Sequence, residues 1–445
     1  MARFKQGLDV DQGFLLPPSI RDWLPEDHLA WFIMDAVDAL DIDALLDRYR
    51  VSGKGELPYD PRMMLRVLIY AYATGTFSSR GIEKQLHDSI AFRVLAGNQT
   101  PGFRSISRFR ERHVADFSEL FAQVVKTAAE SGMVKIGTLA IDGSKLKANA
   151  SKHKAMSYGR MKEEEGRLRR EIAGIMKLAQ DQDVDEDVEF GPDFRGDELP
   201  EELRRRESRL QQIREARERL EKRKAEEAAE ADKAKADKAE AEGREPPKDR
   251  PEVRKHPKGE PKPKDQENFT DPDSRIMKTA QGFEQSYNVQ IAVDGETLLI
   301  VASIVNNCAS DAGQLLPSVE AAMQNTGLPA VEVLADAGYR KEEDLLALEA
   351  AGIDAYVALG REGKQAREPG KEQQATQRMQ EKIQTEEGRD RYRRRKHIAE
   401  PPFGWLKSAL GFRGFSLRGL KKVAGEFSLA AMALNLKRMK GLAKT

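Results

Sequence analysis

The run VKIGTLAID, residues 134–142, decides the fold. Its apolar and β-branched residues read as a buried strand that closes on an acid, Asp142. The run AVEVLAD, residues 330–336, repeats the sign and closes on Asp336. YNVQIAVDG (287–295), ETLLIVASIV (296–305) and IDAYVALG (353–360) have the same short, β-rich character. DAGQLLPSVEAAMQNTG (311–327) and KEEDLLALEAAG (341–352) instead read as helices, the first stopping on Gly327. The order is therefore strand, strand, strand, helix, strand, helix, strand and a helical end. The DGE turn after Val293 makes a tight hairpin of two neighbouring strands, so an α/β fold with a mixed sheet is predicted.

Upstream, PRMMLRVLIYAYATG (61–75) opens on a proline and closes on Gly75, as a helix of ordinary length does. Apolar residues recur at helical spacing through Ile82, Leu86 and Ile90, then through Ile106, Phe109 and His113. Residues 1–125 are thus expected to form an all-helical domain. Within it FRSISRFRERH (103–113) carries Arg104, Arg108, Arg110 and Arg112, which either face DNA or form the solvated side of a packing helix.

Residues 152–271 separate the first strand from the second and differ in character, leaving 134–151 and 272–445 as the sheet-bearing domain. Tyr158, Met161, Leu168, Ile172 and Ile175 form a narrow helical seam in which Glu165 takes a core position, and Leu203, Leu210, Ile213 and Leu220 form a second. The two helices either fold on each other as a hairpin or pair with another copy of the chain. More than half of residues 201–240 are charged and none is aromatic, so the apolar content looks too low for a separate core. The proline-rich stretch 242–267 reads as an extended linker, and the acidic stretch 181–193 as a solvated loop without the glycine and closing Glu of an EF-hand.

At 445 residues and 39% hydrophobic, the chain has enough apolar surface for at least one sizeable core. Lys+Arg 74 balance Asp+Glu 74, so only the distribution of charge can point to nucleic acid. From Arg391 onward fourteen Lys/Arg face only Glu400 and Glu426; such a stretch suits a phosphate backbone or is merely a solubilising end. The opening MARFKQGLDV has no apolar targeting core and no apolar run is long enough to span a bilayer, so a cytoplasmic, nucleoid-associated protein is expected. The one cysteine, Cys308, rules out an internal disulfide and reads as a small packed hydrophobe.

Asp-Gly and Asp-Ala-Gly are turn formers, so Asp142 or Asp336 alone carries little. If their strands are neighbours, however, both carboxylates emerge at one sheet edge and can share hard cations through oxygen. Glu400, ahead of Pro401 and Pro402, is the candidate third acid; its place before the prolines predicts the start of a helix that carries Lys407 two turns on.

The stretches IDGSKLKANASKHK (141–154), TDPDSRIMKT (270–279), SYNVQIAVDGETLLIV (286–301), LADAGY (334–339), TEEGRDRYRRRKHIAEPPFGWLK (385–407) and 411–439 occur in an order that closely resembles the DDE transposases of bacterial insertion sequences. The resemblance implies an RNase H-like catalytic core with Asp142, Asp336 and Glu400 as both catalytic and metal-ligating residues. It implies two Mg²⁺ ions, with Mn²⁺ as the substitute, and double-stranded DNA as substrate, at terminal inverted repeats and at a target, handled by a homodimer. Tyr392, Glu400 and Lys407 match the family's Tyr, Arg, Glu, Lys signature, but strict spacing puts Lys396 where Arg is expected and Arg395 one place earlier. With Lys145 and Lys147 beside Asp142, and with Arg104 and Arg108, these are the candidate DNA contacts. Two rival readings are an RNase H-like nuclease that cuts without joining, and a DNA-binding architectural protein derived from a transposase.

Overall fold

The computed structural model describes residues 19–49, 57–190, 201–241, 257–279, 281–360, 370 and 373–443. The chain divides into two compact units, residues 1–148 with 287–445, and residues 149–286. The helices of the N-terminal segment therefore belong to the same unit as the sheet.

In the first unit, helices α1 (Leu29–Asp38), α2 (Asp43–Leu46), α3 (Pro61–Ala73), α4 (Ser79–Asp88), α5 (Ile90–Leu95), α6 (Phe103–His113) and α7 (Phe117–Glu130) precede the strand β1 (Thr138–Lys147). α3 starts where the sequence places it: Asp60 caps the Arg62 N–H, Pro61 fills the first turn, and Gly75 takes the left-handed turn at φ 82°. Ile90 does not continue the face of Ile82 and Leu86; Ser89 is extended, a new helix begins, and Ile90 is exposed.

β1 begins four residues later than VKIGTLAID suggests and runs five residues past Asp142. Ile136 sits at φ 41° with its N–H held by Asp294, which breaks the extended run, while buried Leu146 and the Lys147 carbonyl, bonded by the Phe415 N–H, prolong the strand.

The second unit begins with β2 (Ala155–Ser157), α8 (Tyr158–Phe190), α9 (Glu201–Ala241), β3 (Gln266–Asn268) and β4 (Arg275–Thr279). β5 (Gly282–Asp294) pairs with β4 at its start and then enters the first unit, where β6 (Ile300–Asn306), α10 (Leu315–Thr326), β7 (Glu332–Ala335), α11 (Glu342–Ala350), β8 (Asp354–Val357), α12 (Gln374–Gln384), α13 (Glu386–Gly404) and α14 (Leu420–Leu442) follow. The sheet of this unit runs β6, β5, β1, β7, β8. β6 is antiparallel to β5, and β7 and β8 are parallel to β1 and to each other. The Gly295 N–H donates to the Thr138 carbonyl while Gly143 lies against Gln290, so β5 and β1 run antiparallel. Without the strands of the insertion the order is 3-2-1-4-5, a mixed sheet, and β5 is buried continuously from Gln285 to Asp294 as a strand covered on both faces must be.

α14 is the largest correction to the reading of the basic C-terminal stretch. Its residues from Phe427 to Leu436 are all buried, and it packs on α3, α7 and β6. Gly425 makes room for that packing, since a Cβ there would stand 1.8 Å from the Val114 carbonyl oxygen. Buried Glu426 accepts from the Tyr72 hydroxyl at 3.1 Å and from the Ser416 and Leu417 N–H groups. Lys437 caps the Ala73 carbonyl, and Arg438 stacks on Trp405 and donates to the Thr297 carbonyl, so several of these cations hold the fold together. Cys308, expected inside, is exposed just beyond β6.

In the second unit α8 and α9 pack as an antiparallel pair: Tyr158 bonds Glu221, Glu165 pairs with Arg214 and Arg217, and Arg206 pairs with Glu171. The seam is thus covered by the chain's own second helix. Contrary to the composition-based expectation, a small core does form, from Met161 and Leu168 of α8, Leu210, Ile213 and Ala216 of α9, and Met156 of β2, with Phe269 beside it. Met156 of β2 and Phe269, just past β3, add to the apolar residues of the helices. Of the proline-rich stretch, residues 242–256 lie outside the described residues, as do 191–193 of the acidic stretch.

Glu165 is buried among Arg169, Arg214 and Arg217. Glu165→Ala strands their charge against the seam and is expected to destabilise the hairpin by about 3 kcal/mol, the lower end for a broken buried pair because the arginines stay partly solvated. Hydrogen exchange of α8 and α9 in the full chain measures it, and unchanged protection would show that the cluster is not structural.

Candidate active site

Thr138 lies opposite Glu332, Leu139 opposite Val333 and Ala140 opposite Leu334 in the parallel ladder of β1 and β7. Each pair is 194 residues apart, which is also the separation of Asp142 from Asp336, so carrying the register two residues further sets the two aspartates side by side. β7 ends at Ala335, and Asp336 turns the chain into a short 3₁₀ turn, its carboxylate accepting the Gly338 N–H at 2.7 Å. Asp142 stands within its strand rather than at its end.

Glu400 also departs from its expected place. α13 starts at Thr385, whose hydroxyl accepts the Gly388 N–H with Glu386 and Glu387 in the first turn, and it continues through Glu400 and both prolines. Pro401 and Pro402 bring no N–H to the ladder, and the backbone then widens into a π turn at Trp405–Ala409. That turn breaks the two-turn spacing to Lys407, which bonds the Ser144 hydroxyl on β1 and lies over the Phe403 ring.

The Asp142 side chain is one-fifth exposed, and Arg395 Nη1 stands 3.8 Å from its Oδ1. Burial raises its pKa to about 6; Arg395 and the Gly143 N–H oppose the rise, while Asp336 and Glu400 add to it. All three acids therefore share one field. Burial works against the Arg395 charge, but Tyr392, Asp142 and Asp336 raise its pKa, so it remains a cation. Its Nε has no hydrogen-bond partner among the described residues. Of the two residues that spacing left open, Arg395 is the one turned to the aspartates; Lys396 is on the exposed side of α13. Tyr392 lies beside the Arg395 guanidinium. Burial lowers the pKa of Lys407, and Asp142 partly restores it.

The other candidates are spread more widely. Lys145 is held by Asp311 at 2.9 Å, and Lys147 is exposed further along β1. Arg104 and Arg108 are exposed on α6, Arg104 over the Phe103 ring. Arg110 of the same stretch is instead buried, donating to the Phe77 carbonyl at 2.8 Å.

A supporting network escaped the sequence reading. Tyr339 donates to Gln290, and Gln290 and Asn288 donate to Asp311 at 2.8 and 2.7 Å. Gly143 is required beside it, because a Cβ would stand 2.6 Å from Gln290 Oε1. Asp311 in sequence looks like a turn residue ahead of a helix, so only the DAGY tyrosine offered a signal.

The donor set of Asp142, Asp336 and Glu400 is all oxygen and mutually repulsive, which suits a hard divalent cation. Among the described residues no three acidic side chains yet stand at metal-binding spacing. Asp142 and Asp336 are partly buried, whereas Glu400 is exposed.

An α/β sheet of this order with acids at the β1–β7 pair and on the following helix defines an RNase H-like domain of the DDE type. The family model described as a transposase domain (DUF772) matches residues 18–112, and the one described as a transposase DDE domain matches residues 361–440. The two matches, one towards each end of the chain, support a DDE transposase of an insertion sequence. Neither curated proteins nor solved structures gave a match. No described helix is long and apolar enough to cross a membrane.

The raised pKa of Asp142 has a sign that can be tested without metal. The folded chain holds this proton more tightly than the unfolded one, so the penalty for ionising it is absent below about pH 4, grows to pH 6 and is complete above. In EDTA, Asp142→Asn is expected to stabilise the protein by on the order of 1–3 kcal/mol at pH 7.5 and by nothing at pH 4. Equal melting shifts at both pH values would contradict the burial of this charge.

Proposed function

We propose that this transposase hydrolyses a phosphodiester at each end of its element and then joins the freed 3′-hydroxyl to target DNA. The observation that carries the reading is the register of β1 and β7, which sets Asp142 beside Asp336 with Glu400 in the same field. In the first step water oxygen bonds to phosphorus and the bond to the 3′ oxygen breaks; in the second that oxygen attacks a target phosphate and displaces another 3′ oxygen. Asp142, Asp336 and Glu400 would hold two Mg²⁺, or Mn²⁺ in their place. Such ions supply the acidity that activates the nucleophile and the charge that offsets the leaving oxygen.

The remaining side chains position DNA. Arg395, a buried cation with an unpartnered Nε, faces the scissile phosphate, and its planar fork suits that oxyanion better than Lys396 does. Lys407 adds a second cation on the Asp142 side, and Tyr392 offers a ring to an unpaired base. Arg104 and Arg108 on α6 contact the duplex further out, as does Lys147 on β1. Lys145 reaches DNA only by leaving Asp311. The helical segment 1–125 recognises the element's ends, the domain of residues 134–151 and 272–445 does the chemistry, and the insertion 152–271 assists pairing of two ends by two copies. Work on DNA of this kind belongs in the cytoplasm.

Asp142→Ala, Asp336→Ala and Glu400→Ala are each expected to abolish cleavage of an end-bearing plasmid in Mg²⁺ while DNA binding in a gel-shift assay stays within about twofold, because phosphates are held elsewhere. Full cleavage by any one of them removes that residue from the set. Cleaved ends without joined products would leave a nuclease in place of a transposase.

A further inference from the structure

Glu332 is a buried carboxylate at the far end of the strand pair from the aspartates, only 6% exposed at its side chain. Arg391 reaches it at 3.1 Å and Arg394 at 3.5 Å, both from α13, and the Thr138 hydroxyl donates to it at 2.9 Å from β1. A buried charge is costly, and an apolar residue of similar size would serve packing at least as well. What the carboxylate adds is a fixed tie between three elements, the same three that carry Asp142, Asp336 and Glu400.

The spacing along these elements agrees. Thr138 precedes Asp142 by four residues and Glu332 precedes Asp336 by four, about 13 Å of strand in each case. α13 runs in the same direction, since Arg391 meets Glu332 and Arg395 meets Asp142 further along. From Arg391 to Glu400 is about 13.5 Å of helix axis, so anchoring Arg391 at Glu332 brings the turn bearing Glu400 level with the aspartates. A slip of one residue would displace Glu400 by about 1.5 Å and turn it by about 100°, more than a metal ligand tolerates.

We infer that Glu332, clamped by Arg391 and Arg394, is a positioning residue that sets where α13 lies along the sheet and so presents Glu400 to Asp142 and Asp336. The inference rests on the proposed triad. The clamp lies outside the chemistry, and its effect passes entirely through α13.

The full chain can test this through Mn²⁺ binding, followed by the electron paramagnetic resonance signal of free Mn²⁺ and needing no catalysis. Arg391→Gln with Arg394→Gln changes two half-exposed side chains and is expected to weaken Mn²⁺ binding about tenfold, the size typical of lost support around a metal site. Arg394→Gln alone, the longer contact, should give a smaller loss in the same direction. Arg391→Lys with Arg394→Lys keeps the charge and should restore binding to within about twofold. Wild-type affinity in the double Gln variant, or failure of the Lys pair to restore it, would overturn the clamp while leaving the triad standing. Glu400→Gln is the control: if it binds Mn²⁺ as the wild type does, the triad fails and the inference falls with it.

Discussion

The parallel ladder between β1 and β7 is the constraint on which the rest depends. Two strands far apart in sequence are held in one register by buried Leu139, Ala140, Val333 and Leu334, which pack on both faces of the sheet, so a slip would mismatch large and small side chains on each face. The register that suits the core is also the one that sets Asp142 beside Asp336. Hydrophobic packing thus supplies the force that holds Asp142 in a buried place, and its raised pKa is chiefly the cost of that burial, to which the neighbouring Asp336 adds a smaller part.

Around that pair the structure invests in polar rigidity. Tyr339, Gln290, Asn288 and Asp311 tie β5 to the turn after Asp336, and Gly143 keeps the space that this requires. Arg395 approaches from α13, and Lys407 reaches Ser144 from the π turn that follows the two prolines. A site with so many buried polar groups holds together only if nearly all are satisfied; among its described residues Arg395 Nε and Asn288 Oδ1 are the atoms left without a hydrogen bond.

The strands and their order were legible because short apolar runs, hairpin chemistry and helix stop signals are local properties. The start of α3 and the end of α10 at Gly327 follow from caps that neighbouring residues supply. Asp142 and Asp336 could be paired because both follow apolar runs, but the extension of β1 past Asp142 depends on Phe415, far along the chain. Local rules misplaced Glu400: the prolines favour a helix start, yet the helix was already nucleated at Thr385 and packed on the sheet. Counting charge likewise misjudged the C-terminal stretch, since a lysine that caps a carbonyl reads in sequence like one that meets a phosphate. Glu332 and Asp311 gave no sign, because their meaning lies wholly in partners from other elements.

The burial of α14 carries a consequence for how the molecule comes into being. The face that α3 and α7 present to it, and the face of β6, stay uncovered until residue 442 has been synthesised. At ~5–20 residues per second, roughly 15–60 s pass between the making of β1 and the completion of this helix. Asp142 is made at the start of that interval, whereas Asp336 and Glu400 follow only in its later part, so the three acids are complete just before the helix that finishes their scaffold. A chain that ends short of α14 leaves the apolar faces of α3, α7 and β6 open to water.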